Sequence, residues 1–330
     1  MSIDLLERTA EITSASGTIK VSRSTPVIGA EITGIDLREE LDDATVAKLR
    51  RKLLKHKVLF FRDQPISDAD QIRFSRYFGK VTPAHPVTNG LSETPEIMQN
   101  VKSAQRARKS TLNEAQQIHL RAFGRSRQTR GWHTDITFVA NPTSITFLRG
   151  VEIPETGGDT LWVNLEALYD SLSPAIQQLV DGLTAVHGRD DARAGFAPPP
   201  RFDQRTAGPF LAEHPLVRVH PETGERALYS SPSFLKRIVG LSPRESEQLL
   251  ALLFEHSIRP EYTVRFKWEA GSVAFWDNRS TAHLAPVDIF DTDFDRQLYR
   301  ITLVGDVPIG PDGRSSVAIE GEPVVAHSVE

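Results

Sequence analysis

The chain has 330 residues, 39% hydrophobic and 25% charged, with a formal net charge of -4, which is enough apolar sequence for one large core or two smaller ones. So small a charge gives no global field for nucleic acid or an anionic membrane, and any anion recognition has to be local. There is no cysteine, which excludes thiolate catalysis, disulfides and Fe–S clusters; no stretch approaches the roughly 20 apolar residues of a spanning helix, so no membrane partner and a cytoplasmic location are expected.

Residues 1–17 are polar and aperiodic and read as a flexible N-terminus. "IGAEITGIDL" reads as a strand, and "DDATVAKLRRKLLKH" places Val46, Leu49, Leu53 and Leu54 on one helical face, followed by the short apolar strand "KVLFF". A second helix is expected from Ser67 to Gly79, with Ser67 and Asp70 at capping-box spacing. Residues 102–130 are polar and strongly basic, an insertion that reads as either a lid or a solvated loop.

Further strands are expected in "SITFLRGVEI", "DTLWVNL", "LVRVH", "RALYS", "YTVRFKWE", "SVAFWDN" and "QLYRITLVGDV", with one more helix at "SPRESEQLLALLFEH", capped by Ser242 and Glu245. Residues 310–330, opened by "GPDGRSS", read as a flexible tail. Many short strands with few helices, and no linker or repeat, give one mainly β domain over 18–309, a sandwich or barrel with flanking helices.

"GWHTDITF", Gly131–Phe138, reads as a strand, which would turn His133 and Asp135 to the same face and Thr134 to the other. Two polar groups on an inward face need a common partner, because a buried unpaired charge is costly, and a metal ion serves both. A mononuclear oxygen-activating Fe(II) centre takes two neutral imidazoles and one carboxylate, leaving the opposite face open. The third ligand should come from a distant strand, and "SVAFWDNRSTAHLAP" supplies His283. In "DRQLYRITLVGDV", Arg296 and Arg300 share one strand face about 13 Å apart at the usual rise, which assigns them to two separate anions, one on a cosubstrate and one on the primary substrate.

On these stretches, together with "GAEITGIDL", "HPV" at His85, "GGDTLWVN" and "HPLVRVHPETGERALY", the chain resembles the taurine dioxygenase family of Fe(II)- and 2-oxoglutarate-dependent oxygenases from about Val27 to Pro308. The resemblance implies a double-stranded β-helix, the jelly roll of cupin-like proteins. It implies His133, Asp135 and His283 as iron ligands, and Thr160 with Arg296 on the distal carboxylate of 2-oxoglutarate. It places His85 and Arg300 at the primary substrate, Trp162, Trp276 and Phe234 along the pocket, and a homo-oligomer, dimer or tetramer, as the assembly. O2 is then the oxidant, succinate a product, and the retained carboxylate of Asp135 favours hydroxylation over halogenation.

Thr88 and Thr129 stand where the taurine enzyme has a tyrosine and an asparagine, so taurine's amino group loses its partners. "HPETGER" and "WDNRSTAH" are most similar to the alkylsulfatase branch, which implies a small anionic organic substrate, an alkyl sulfate cleaved oxidatively to aldehyde and sulfate. Taurine or another sulfonate, an aryloxyalkanoate and an amino-acid-type substrate stay open. A non-catalytic cupin-like binding module is the alternative from another class; a serine hydrolase is disfavoured, since no G-x-S-x-G elbow occurs.

Overall fold

The computed structural model describes residues 12–14, 17–86, 88–103, 131–189, 210–286, 288 and 294–327. In chain order these form β1 (Ile12–Ser14), β2 (Gly17–Arg23), β3 (Ala30–Thr33), α1 (Asp43–His56), β4 (Val58–Phe61), α2 (Asp68–Arg76), β5 (Met98–Ser103), β6 (Ile145–Glu152) and β7 (Thr160–Asn164). There follow α3 (Leu165–Asp170), α4 (Pro174–Asp181), β8 (Thr184–Gly188), β9 (Leu211–Pro215), β10 (Val217–Val219), β11 (Arg226–Leu228), β12 (Leu235–Ile238) and α5 (Pro243–Ser257). The last strands are β13 (Thr263–Phe266), β14 (Val273–Asp277), β15 (Thr281–Leu284), β16 (Asp295–Thr302) and β17 (Val317–Glu320).

One sheet runs β1-β2-β3-β4-β14-β6-β16-β5; smaller sheets run β13-β7-β15 and β12-β8-β9-β17, with β10 paired to β11. The period-two alternation of strands sorts β4 between two cores. Leu59 and Phe61 face a cluster with Leu49 and Leu53 of α1 and Phe74 of α2. Val58 and Phe60 face the opposite way, onto Trp162 of β7 and Val264 and Phe266 of β13. The large sheet is thus covered by helices on one side and by the small β13-β7-β15 sheet on the other. This is the mainly β architecture with flanking helices that the strand count implied, and the jelly roll that the family resemblance implied.

The caps behave as the spacing requires. Ser67 and Asp70 exchange capping-box hydrogen bonds, as do Ser242 and Glu245. Helices α3 and α4 were not anticipated from the sequence, although Asn164, which accepts from the amides of Glu166 and Ala167, and Pro174 at the first turn after Ser173 are ordinary start signals.

Two expectations are corrected. "WHTDITF" is not a strand: only His133 makes a β-bridge, and the chain turns immediately after Asp135 through Ile136 at φ 46°. The tail expected to be loose from 310 is tied down where it is described: β17 pairs with β9, the Val324 amide donates to Asn141 and the His327 amide to the Val81 carbonyl. The basic insertion lies, over 104–130, outside the described residues, and so does most of the expected N-terminal arm.

Candidate metal centre and its flanking arginines

His283 sits on β15, whose neighbour β7 sets it opposite Trp162. On its other side His133 and His283 exchange both main-chain hydrogen bonds, at 3.0 and 2.7 Å, the antiparallel hydrogen-bonded pairing that sets two side chains directly opposite each other on one face. Their imidazole rings stand 4.2 Å apart. Thr134 turns away, its hydroxyl donating to the Thr281 carbonyl at 2.8 Å and its amide to Ser231. Asp135 then comes back toward the histidines through the turn, not through strand alternation. One donor atom from each of His133, Asp135 and His283 lies within 4.8 Å of the others, two imidazoles and a carboxylate as a metal ion requires.

The surroundings set the protonation states. His133 Nδ1 lies 3.0 Å from the Gly131 carbonyl; a carbonyl only accepts, so Nδ1 carries a proton and Nε2 is the nitrogen that would meet a metal. Burial pushes His283 down to about 3, with the His133 ring adding to the effect, so its imidazole is neutral at physiological pH. Burial alone would raise Asp135, but Arg300 and the two histidines outweigh it and hold the carboxyl well below its usual range. Oδ2 of Asp135 also accepts from Thr146 at 2.7 Å; Thr146 accepts from Asn278, which in turn accepts from the Trp276 indole at 2.9 Å. Thr146 and Asn278 are functional neighbours the sequence reading missed; the placement of Thr146 on β6, beside β14, is visible only once the sheet order is known.

Arg296 and Arg300 do share one buried face of β16, at 1% and 8% exposure. Their partners differ. Arg296 donates through Nη1 to the Gly158 carbonyl, and its Nε has no hydrogen-bond partner. Gly157 and Gly158 both adopt φ near 75° (78° and 74°), a left-handed turn open to glycine that presents this carbonyl inward. Thr160, two residues on, accepts from the Trp268 indole at 3.0 Å, which leaves its hydroxyl proton to be donated elsewhere. Burial lowers Arg296 to about 10, still cationic at neutral pH. Arg300, expected at the primary substrate, donates Nη1 to Asp135 at 2.8 Å and Nη2 to the Met98 sulfur at 3.1 Å, with Nε unpartnered.

A ring series leads outward from the histidines. Phe234 meets His133 edge-on at 5.9 Å, Phe138 meets Phe234 at 5.1 Å, and His85 meets Phe138 at 6.1 Å. Burial, reinforced by Arg300 and Arg189, holds His85 well below the usual histidine range, so it too is neutral. Trp276 borders the centre, 4.9 Å from the His283 ring. Trp162 lies one ring further back, packed on Phe60 and Trp276 in the core. The backbone of Thr88 bridges to His85, and Thr129 lies outside the described residues.

Residues 20–302 match a family model described as taurine catabolism dioxygenase TauD, TfdA family. An alpha-ketoglutarate-dependent sulfate ester dioxygenase of Pseudomonas putida is 40% identical over 297 residues, spanning 88% of this chain and 90% of its own. An alkylsulfatase of Acinetobacter baylyi is 39% identical, spanning 89% and 88%. A crystal structure described as a taurine dioxygenase from Burkholderia xenovorans is 52% identical, covers 92% of this chain and 96% of its own, and superposes with a TM-score of 0.77.

Proposed function

The chain belongs to the taurine catabolism dioxygenase TauD, TfdA family, and on that premise we propose that it is an Fe(II)- and 2-oxoglutarate-dependent dioxygenase that oxidises a small anion with an apolar tail, an alkyl sulfate foremost. The observation that carries the reading is the grouping of His133, Asp135 and His283, with Arg300 on the Asp135 carboxylate and a second buried arginine, Arg296, on the same strand face. The relatives named for sulfate esters and alkyl sulfates direct the choice of substrate.

The residues fit the group they would hold. Two neutral imidazoles and an ionised carboxylate are the donor set of a mononuclear iron centre, and a buried arginine with an unpartnered Nε fits a carboxylate beside it. Bound there with 2-oxoglutarate, Fe(II) supplies oxidation of a C–H bond by O2, with the keto acid converted to succinate and CO2. His133, Asp135 and His283 would hold the metal. Arg296 would grip the distal carboxylate of 2-oxoglutarate, with the Thr160 hydroxyl donating beside it. Arg300 and the N–H of neutral His85 would hold the head of the primary substrate, and the Phe234 and Phe138 rings would keep water from its tail. A hydroxyl placed on the carbon that bears a sulfate ester makes an unstable hemiacetal sulfate: its C–O bond to sulfate breaks, the electron pair leaves with sulfate, the hydroxyl proton is lost and an aldehyde remains.

A second reading, oxidation of a sulfonate such as taurine, is favoured by the 52% identical structure described as a taurine dioxygenase. Succinate release measured across alkyl sulfates, sulfonates and aryloxy acids separates the two. The expected ranking puts a medium-chain alkyl sulfate first; taurine outrunning every apolar-tailed anion transfers the reading to sulfonates, and a best substrate without an anionic group removes Arg300 from the role. The reading includes a cytoplasmic, homo-oligomeric enzyme, which light scattering of the purified protein checks for its assembly.

A further inference from the structure

Two residues beyond Asp135, Thr137 is held by two fully buried histidines from the neighbouring sheet. His214 of β9 places Nε2 at 2.7 Å from the Thr137 carbonyl, and His187 of β8 places Nδ1 at 3.0 Å from its hydroxyl. A carbonyl cannot donate, so His214 carries its proton on Nε2, and Nδ1, 2.7 Å from the Ser316 hydroxyl, accepts. Ser316 immediately precedes β17, in the C-terminal segment pinned across β9. The chain end is thereby connected, through His214, to the turn that carries Asp135.

What the two histidines hold is strained. Ile136, between Asp135 and Thr137, has φ 46°, which a β-branched residue rarely adopts and keeps only where its surroundings over-determine it. On the near side, Thr134 is fixed by Ser231 and the Thr281 carbonyl. On the far side the Val139 amide donates to the Ile136 carbonyl at 3.2 Å and Ile136, Phe138 and Val139 pack with Phe210, while the directed side-chain contacts are those of His214 and His187 to Thr137. Asp135 lies between these two clamps.

We propose that His214 and His187 are positioning residues for the metal centre: by gripping Thr137 they keep Ile136 in its left-handed conformation and so aim the Asp135 carboxylate at His133 and His283. This rests on the ligand set of the proposed function. Without the grip, Ile136 relaxes to negative φ and the carboxylate swings off the centre, although neither histidine touches it.

The test is the affinity of the metal-free protein for Mn(II), read by equilibrium titration together with its melting temperature. His214→Leu is expected to weaken Mn(II) binding at least tenfold, while His214→Gln, whose amide N–H replaces the Nε2 donor, recovers most of the loss. A role in core packing alone would lower the melting temperature of His214→Leu and leave Mn(II) affinity at the wild-type value, which overturns the proposal. Thr137→Val keeps the shape and deletes the hydroxyl that meets His187; it should cost several-fold in affinity, and it decides the matter if His214→Leu does not fold, wild-type affinity again overturning the proposal. Failure of the wild-type protein itself to bind Mn(II) would instead strike the ligand assignment.

Discussion

Arg296 and Arg300 sit four residues apart on the same strand, on the same face and almost equally buried, yet the fold treats them differently. Arg300 has a carboxylate in contact, Asp135 at 2.8 Å. Arg296 has a neutral carbonyl, and among the described residues no carboxylate lies within ion-pair distance; only the more distant fields of Asp159 and Asp288 support its charge. A buried cation without a paired anion is costly, so Arg296 is built for an anion that arrives from outside. Arg300 is already neutralised until Asp135 is engaged elsewhere. One strand therefore carries a waiting site and a shared one.

The largest expected effect comes from removing the carboxylate both halves of the centre use. Asp135→Ala should abolish metal-dependent turnover, a fall of orders of magnitude, and should also destabilise the metal-free fold by about 3–5 kcal/mol, because Arg300 is left buried and unpaired. Activity assays and thermal melting check the two parts separately. Turnover at the wild-type rate would remove Asp135 from the ligand set.

Next comes the contrast between the arginines. Arg296→Leu is expected to weaken 2-oxoglutarate binding by about 1.5–3 kcal/mol, the worth of a charge-assisted contact, while the cosubstrate-free protein melts no lower than wild type. Arg300→Gln should do the reverse: 2-oxoglutarate affinity is kept, selection for the anionic substrate weakens, and the metal-free protein melts lower because Asp135 has lost its partner. Equal melting shifts in the two variants would break the distinction drawn between them.

The smallest effect is one of pH. His214 is fully buried and burial lowers it to about 4 from the usual 6.5, so between those values the unfolded chain takes up a proton that the folded chain refuses. Stability is complete above 6.5 and is lost as the pH falls toward 4, by about 2 kcal/mol between pH 7.5 and 5 at roughly 1.4 kcal/mol per unit. Buried His56, His85, His187 and His283 act in the same direction, so urea unfolding at the two pH values should show a larger total, from which His214→Gln removes its own share of about 2 kcal/mol.

These contrasts also show where the sequence was sufficient. The capping pairs at Ser67 and Ser242 and the shared face of Arg296 and Arg300 are local properties, and they stand in the structure as read. His133, Asp135 and His283 do meet, but for a reason the sequence misstated: a strand reading of "WHTDITF" put His133 and Asp135 on one face, whereas the structure joins them through a turn at Ile136. β-branched and aromatic residues favoured the strand, and the tertiary contacts of Thr134 and Thr137 won. The same non-local contacts hid Thr146, Asn278 and His214, each of which reaches the site only across a sheet. The tail after Pro308 looked loose because its strand β17 finds its partner about a hundred residues earlier in the chain.

The most direct measurement is the stoichiometry of sulfate, aldehyde and succinate released from a medium-chain alkyl sulfate by the Fe(II)-loaded protein with 2-oxoglutarate, in air and without O2. Oxidative cleavage gives equal amounts of all three in air and none without oxygen. Sulfate released without O2 or without succinate would mean hydrolysis, and would contradict it.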